Sequence, residues 1–401
     1  MKFLSSLLGF AAVAIPLQGA AAAELGPLDI SGFIGVETRV FPFSSQFSGQ
    51  AGNAEISLIV TPEFRYRTSD GKHQFSFIPY FRLDSRDDER THFDIREAYW
   101  LYRGGSWEIL TGFNRVFWGV TESNHLVNVI NQVDLVEDLD GEDFLGQPMI
   151  NFTTFQNWGQ IDIYVLPGFR ERTFPGSEGR LRAPIPVDTS SPVYSSDLGQ
   201  KHVDVALRYS HYFGDLDIGV YYFWGTGRVP TLVPNQAGSA LIPHYDIINQ
   251  AGVDLQYTKD AWLFKFEGII RGGQGGTFGA FVAGTEYTFF QVFGGNADIG
   301  VLAEYLHDGR DASAPATPFE DDIFAGMRLA LNDIQDTSVL VGVIVDPSSS
   351  ETFYTIEAER RLAQHYVIEL RARFFTGADP GEALFAISRD DYVQLRLARY
   401  F

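Results

Sequence analysis

The chain has 401 residues, 45% of them hydrophobic, 14% aromatic and 20% charged, and its 30 Lys and Arg against 51 Asp and Glu give a formal charge of −21. It contains no cysteine, which excludes disulfide frameworks, thiolate metal sites and thiol nucleophiles; the acidic balance argues against a nucleic-acid partner, because no positive field is available to displace counterions. The 34 Phe, 18 Tyr and 6 Trp are too much apolar surface for a disordered chain, and beyond the N-terminus no run of about 18 apolar residues offers a helical membrane span.

In chain order, the first feature is a processing signal. Lys2 supplies a positive start, Phe3 to Leu17 is almost wholly apolar, and Ala20 to Ala23 are small. This is the anatomy of a secretory signal peptide, too short for a membrane anchor. We expect cleavage after Ala23, so residues 1–23 are the signal and 24–401 form a single domain. Export of an acidic, cysteine-free chain points to the envelope of a Gram-negative bacterium.

From Leu28 onward the sequence alternates with period two. Ile56, Leu58, Val60, Phe64 and Tyr66 fall on one face, and Glu55, Ser57, Thr61, Glu63, Arg65 and Arg67 on the other. Ser69-Asp70-Gly71 then turns the chain. The pattern recurs at Val203–Phe213, Trp262–Ile270 and Tyr366–Phe374. Such runs number about eighteen, each long enough for the roughly 9–11 residues that a strand needs to cross a bilayer. Tight connections such as Gly214-Asp215 and Lys259-Asp260 alternate with long polar ones such as Trp118–Gln147, Phe169–His202 and Thr376–Asp390. Aromatic residues recur near strand ends, and the last strand closes on Phe401 with Leu397, Leu395 and Val393 on the same face. These features predict an all-β, transmembrane antiparallel barrel of about 18 strands with short periplasmic turns and long extracellular loops. Closure follows from physics, since hydrocarbon leaves no partner for an open sheet edge. The implied partners are outer-membrane lipid, lipopolysaccharide and the machinery that assembles such barrels.

The segment Trp107-Glu108-Ile109-Leu110-Thr111-Gly112-Phe113-Asn114-Arg115-Val116-Phe117-Trp118-Gly119, followed by a helix-like stretch and Asn131-Gln132-Val133-Asp134-Leu135, is the most distinctive in the chain. It resembles the alginate-export-like and related porin families of outer-membrane barrels. The resemblance implies an eighteen-strand pore with an inward-folded loop, and it brings no substrate with it.

If the apolar face meets lipid, the other face lines a charged lumen. The later strands contribute Arg271, Arg328, Arg371, Arg373 and Arg396 together with Glu267, Glu286, Glu357, Glu359 and Glu369. These are candidates both for cross-strand ion pairs and for a solute path. Trp118 and Asp134 in one long loop and Arg170 and Arg172 in the next are candidates for a constriction; with Arg180 and Arg182, the latter loop has four arginines that can pair with the acidic loop or equally meet an anionic substrate or lipopolysaccharide phosphates. Glu137, Asp138, Asp140, Glu142 and Asp143 crowd around Gly141; that oxygen density echoes part of a calcium loop without its full pattern, so a solvated acidic loop is the simpler reading. The eight histidines lie mostly in turns and loops, with no serine and acid at strand spacing. The chain therefore reads as a non-enzymatic, cofactor-free barrel passing small polar or anionic solutes, acidic sugars included, by passive diffusion. The alternative is a scaffold or adhesion barrel that transports nothing.

Overall fold

In a computed structural model, which describes residues 28–401, one 18-stranded sheet runs from Leu28–Val40 to Tyr392–Tyr400. The expected signal peptide lies outside the described residues. Each barrel strand pairs antiparallel with its sequence neighbours, and the first strand pairs with the last, with Gly35 opposite Ala398 and Val40 opposite Val393. The sheet thus closes on itself.

Burial shows which side faces out. Along Ala54–Arg67, Glu55 and Ser57 are 3% and 2% exposed, whereas Ile56 and Leu58 between them are 41% and 40% exposed. The same inversion holds in Val203–Phe213, where Val203, Val205 and Leu207 are exposed and Asp204 and Arg208 are buried. A soluble sandwich would bury the aliphatic face. A barrel in lipid presents it outward, where an Arg or Lys at the bilayer midplane would cost about 2–4 kcal/mol.

At one end the connections are short, for example 157–158, 214–215, 260–261 and 364–365; at the other they are long, for example 115–146, 168–202 and 377–391. Both described ends of the sheet lie at the short-turn end, as an even strand number requires. Two details escape the alternation pattern. Pairing between Ala54–Arg67 and His73–Asp84 lapses between Val60 and Phe64, and the register of the next pair shifts at Ile78 and Pro79. Pro62 and Pro79 fall in these gaps and have no N–H to give a ladder. Gly32 sits opposite Pro62 with φ +139, and a Cβ there would lie 2.3 Å from the Thr61 carbonyl oxygen, so only glycine fits. Beyond the barrel, Val193–Tyr194, Thr231–Pro234 and Leu241–Tyr245 form a small sheet in the long loops, which the alternation did not signal.

Candidate functional site

The loop between Trp107–Asn114 and Gln147–Gln156 folds inside the barrel. Its first half carries Trp118, Val127, Val129 and Ile130, all buried against the wall residues Tyr164, Leu166, Tyr221, Phe223, Ile248 and Ile269. The Trp118 ring centroid lies 4.9 Å from that of Tyr221, and the Arg208 guanidinium lies 4.8 Å above Trp118. No helix forms here: residues 120–130 are turns and irregular chain, contrary to the helix-like reading. Backbone groups buried in such a loop need partners, and wall carboxylates supply them. Glu267 accepts from the N–H of Val120 (2.7 Å), Thr121 (3.0 Å) and Val127 (3.1 Å) and from the Thr121 hydroxyl (2.7 Å). Glu304 accepts from the N–H of Glu122 and Ser123, both at 2.8 Å.

The second half of the loop is acidic and meets arginines. Arg96 donates to Asp134 (2.6 Å), and Arg82 binds both Glu137 and Glu37, the latter at 2.8 Å. Asp138, fully buried, accepts from Arg371 (2.9 Å), Arg373 (3.2 Å) and the Tyr392 hydroxyl (2.9 Å). Burial pushes the Asp138 pKa up, but Arg373, Arg371 and Arg39 outweigh it and hold the carboxyl well below the usual range. Arg373 also reaches Asp140 (3.2 Å) and Glu357 (2.6 Å). The loop is therefore a plug with an apolar shoulder and a charged tip.

His125 stands between these halves, with Nε2 3.3 Å from Glu142 and Nδ1 3.6 Å from Glu267. Burial opposes its charge, yet the two carboxylates push its pKa up to about 9. A histidine raised in the folded state stabilises fully below its ordinary value of about 6.5. That contribution is lost as pH rises through about 9. The melting temperature is expected to fall over this window, and His125→Gln is expected to flatten its pH dependence; an unchanged profile in the variant would exclude His125 as its source.

The plug leaves space on the opposite wall. A cavity of about 780 Å³ lies between the loop tip and the strands Asp321–Ala330, Ser338–Val345, Thr352–Ala363 and Tyr366–Thr376. Toward the long-loop end its lining is apolar, with Phe319, Phe324, Phe353, Phe375, Leu384 and Ile387. Toward the short-turn end it is charged, with Glu122, Arg328, Glu357, Glu359, Glu369 and Arg371.

No protein-family model matches the chain, and no curated protein does. Solved structures do match. One is Wzi of Escherichia coli, an outer-membrane protein involved in group 1 capsule assembly and a carbohydrate-binding β-barrel. It aligns with TM-score 0.53 at 10% identity, covering 91% of this chain and 83% of that one. A Rh. blastica porin variant aligns with TM-score 0.45 at 10% identity, covering 93% of this chain and 100% of that one. The chain has the fold of an outer-membrane β-barrel. The finer likeness to alginate-export-like porins finds no matching family model.

Within this barrel the anticipated residues part company. Arg328, Arg371, Arg373, Glu357, Glu359 and Glu369 line the cavity. Arg271, Glu267, Glu286 and Arg396 do not: Arg271 donates to Gln250 (2.6 Å), Glu267 holds the plug, Glu286 lies 3.9 Å from Lys265, and Arg396 pairs with Glu369. Trp118 and Asp134 belong to the plug. Arg170 reaches Asp94 (2.5 Å) on the wall and Arg172 reaches Gln132 (3.2 Å). Arg180 pairs with Asp390 (2.6 Å) and Arg182 meets backbone carbonyls, so the four arginines do not form ion pairs with the acidic loop, one of the roles open to them.

The calcium candidates Glu137, Asp138, Asp140, Glu142 and Asp143 do not gather at one point. Four already face Arg82, Arg373 or His125, and Asp143 lies 4.0 Å from Arg371. Among the described residues, the group close enough to share a metal is His92, Asp134 and Glu137, whose carboxylates are already engaged by Arg96 and Arg82. Sequence reasoning missed Glu122 and His125 as lining residues, and Glu304, Arg82 and Tyr392 as anchors of the plug. Only alternation bore on the three wall residues, and it gives a side chain's face without naming what a distant loop will bring to it.

Proposed function

We propose that the protein is a narrow passive channel of the Gram-negative outer membrane for small polar solutes, with the short turns periplasmic. The observation that supports this reading is the length of the cavity. Its lining includes Ser338 at one end of Ser338–Val345 and Ile344 near the other, and continues into the long loops at Leu384. At about 3.3 Å per residue, six steps along the strand amount to about 20 Å, or about 15 Å along the barrel axis at a tilt of about 40°, half of a hydrocarbon core of about 30 Å. Selectivity in such a path comes from the charges along it and from the plug that narrows it. Lipid around the apolar wall, lipopolysaccharide at the long-loop rim and the barrel assembly machinery are the partners this reading carries.

Liposome swelling tests it. Vesicles with heat-modifiable, folded barrel are expected to swell faster in a monosaccharide than in a trisaccharide. No swelling in either would overturn the channel reading and favour a second one, a barrel that binds or scaffolds without transport. The depth of the plug, with Val127 and Ile130 fully enclosed, is what favours that second reading.

A further inference from the structure

We propose that the path prefers positively charged solutes carrying an apolar group, that is, small organic ammonium ions, with Glu359 as the residue that sets the preference. The inference rests on the channel reading above. Arginines on the later lumen face first point to anions, but the structure engages them. Arg328 donates to Glu122 (2.6 Å), Arg371 to Asp138 (2.9 Å), and Arg373 to Asp138, Asp140 and Glu357. Arg396 pairs with Glu369, and His125 with Glu142.

The cavity lining contains six carboxylates, Glu122, Asp140, Glu142, Glu357, Glu359 and Glu369, against three guanidiniums and His125. Once local pairs are taken together, Glu359 is left over. It is exposed, has no ion pair within 4 Å among the described residues, and lies directly across the strand pair from Glu369. Like charges in that register repel, and a passing cation relieves the repulsion where an anion adds to it. The positive groups near it are Arg396, already paired with Glu369, and Arg361, two residues further along and beyond the cavity lining, and neither forms an ion pair with it. The rest of the path selects the body of the solute. Phe319, Phe324, Phe353 and Phe375 line the long-loop half, and aromatic faces attract cations as well as covering apolar groups. An ammonium with an aromatic or aliphatic body meets both halves on favourable terms, whereas a carboxylate of the same shape does so only in the phenylalanine-lined half.

The test uses the full-length barrel in planar bilayers. In a potassium chloride gradient the reversal potential is expected to show cation preference. Benzylammonium is expected to reduce the current at lower concentration than benzoate does. A charge about 7 Å from an ion in water raises a cation's local concentration and lowers an anion's about threefold each before screening; salt at about 0.1 M roughly halves that energy, so Glu359→Gln is expected to lower the cation-to-anion permeability ratio about threefold and to narrow the gap between the two blockers. Because Glu359 has no partner, the substitution leaves no buried charge behind. Anion preference in the unmodified barrel, or equal block by benzoate, would overturn this proposal alone. A folded barrel that carries no current would overturn the channel reading and this one with it.

Discussion

Asp138→Ala is expected to release the tip of the plug while leaving the barrel closed. Asp138 accepts four hydrogen bonds, from Arg371, Arg373, the Tyr392 hydroxyl and the Leu139 N–H, and is fully buried. Removing one partner of a buried ion pair costs about 3–5 kcal/mol. The lower end applies here, because Arg373 keeps Asp140 and Glu357. None of these contacts contributes to the pairing of the first strand with the last, which is a backbone ladder from Phe33 to Val40. The loop tip keeps Arg373–Asp140 at 3.2 Å and the Arg39 donation to the Glu137 carbonyl at 3.0 Å, but loses its most buried anchor. Thermal melting should fall by an amount that matches the lost pair, heat modifiability on gels should persist, and single-channel conductance should rise and fluctuate more. A variant with unchanged melting and conductance would show that the tip is held by something other than this carboxylate.

Glu267→Gln acts on the other half of the plug. The carboxylate accepts from the Val120, Thr121 and Val127 backbone N–H groups and from the Thr121 hydroxyl, with His125 beside it. An amide keeps one acceptor oxygen and turns N–H groups toward the donors it must replace. Hydrogen bonds to a charged acceptor contribute about 1.5–3 kcal/mol each, and at least one is replaced by a donor–donor clash. Hydrogen exchange read by mass spectrometry is expected to quicken across residues 119–128 and to stay slow in the barrel strands. Equal protection in the variant and the parent would mean that the packing of Trp118, Val127 and Ile130 holds the loop without the carboxylate.

What could be read from the sequence follows from how the two parts are stabilised. The barrel was legible because each strand must expose an apolar side chain at every second position. Ile56 and Leu58 against Glu55 and Ser57 carry that signal without reference to any other part of the chain. The length contrast between turns and loops distinguished the two ends of the barrel. The plug was legible only as a loop able to enter the lumen, through Trp118 and the acidic run. Its anchors were not, because they are long-range: Glu267 meets Val120 across 147 positions, and Arg373 meets Asp138 across 235. Alternation places Arg271 and Arg373 on the same lumen face, yet one donates to Gln250 and the other locks the plug and borders the cavity. Nothing local distinguishes them. The anionic path was an inference from arginine count; pairing geometry, which a count does not contain, is what the cation proposal rests on instead.

The central claim, a channel narrowed by the plug, is tested most directly by single-channel recording of the unmodified barrel beside a variant lacking Asp138–Asp143. The account predicts small, stepwise currents from the first and clearly larger steps from the second, with both proteins heat-modifiable on gels. Equal step sizes would place the loop outside the conducting path and contradict it.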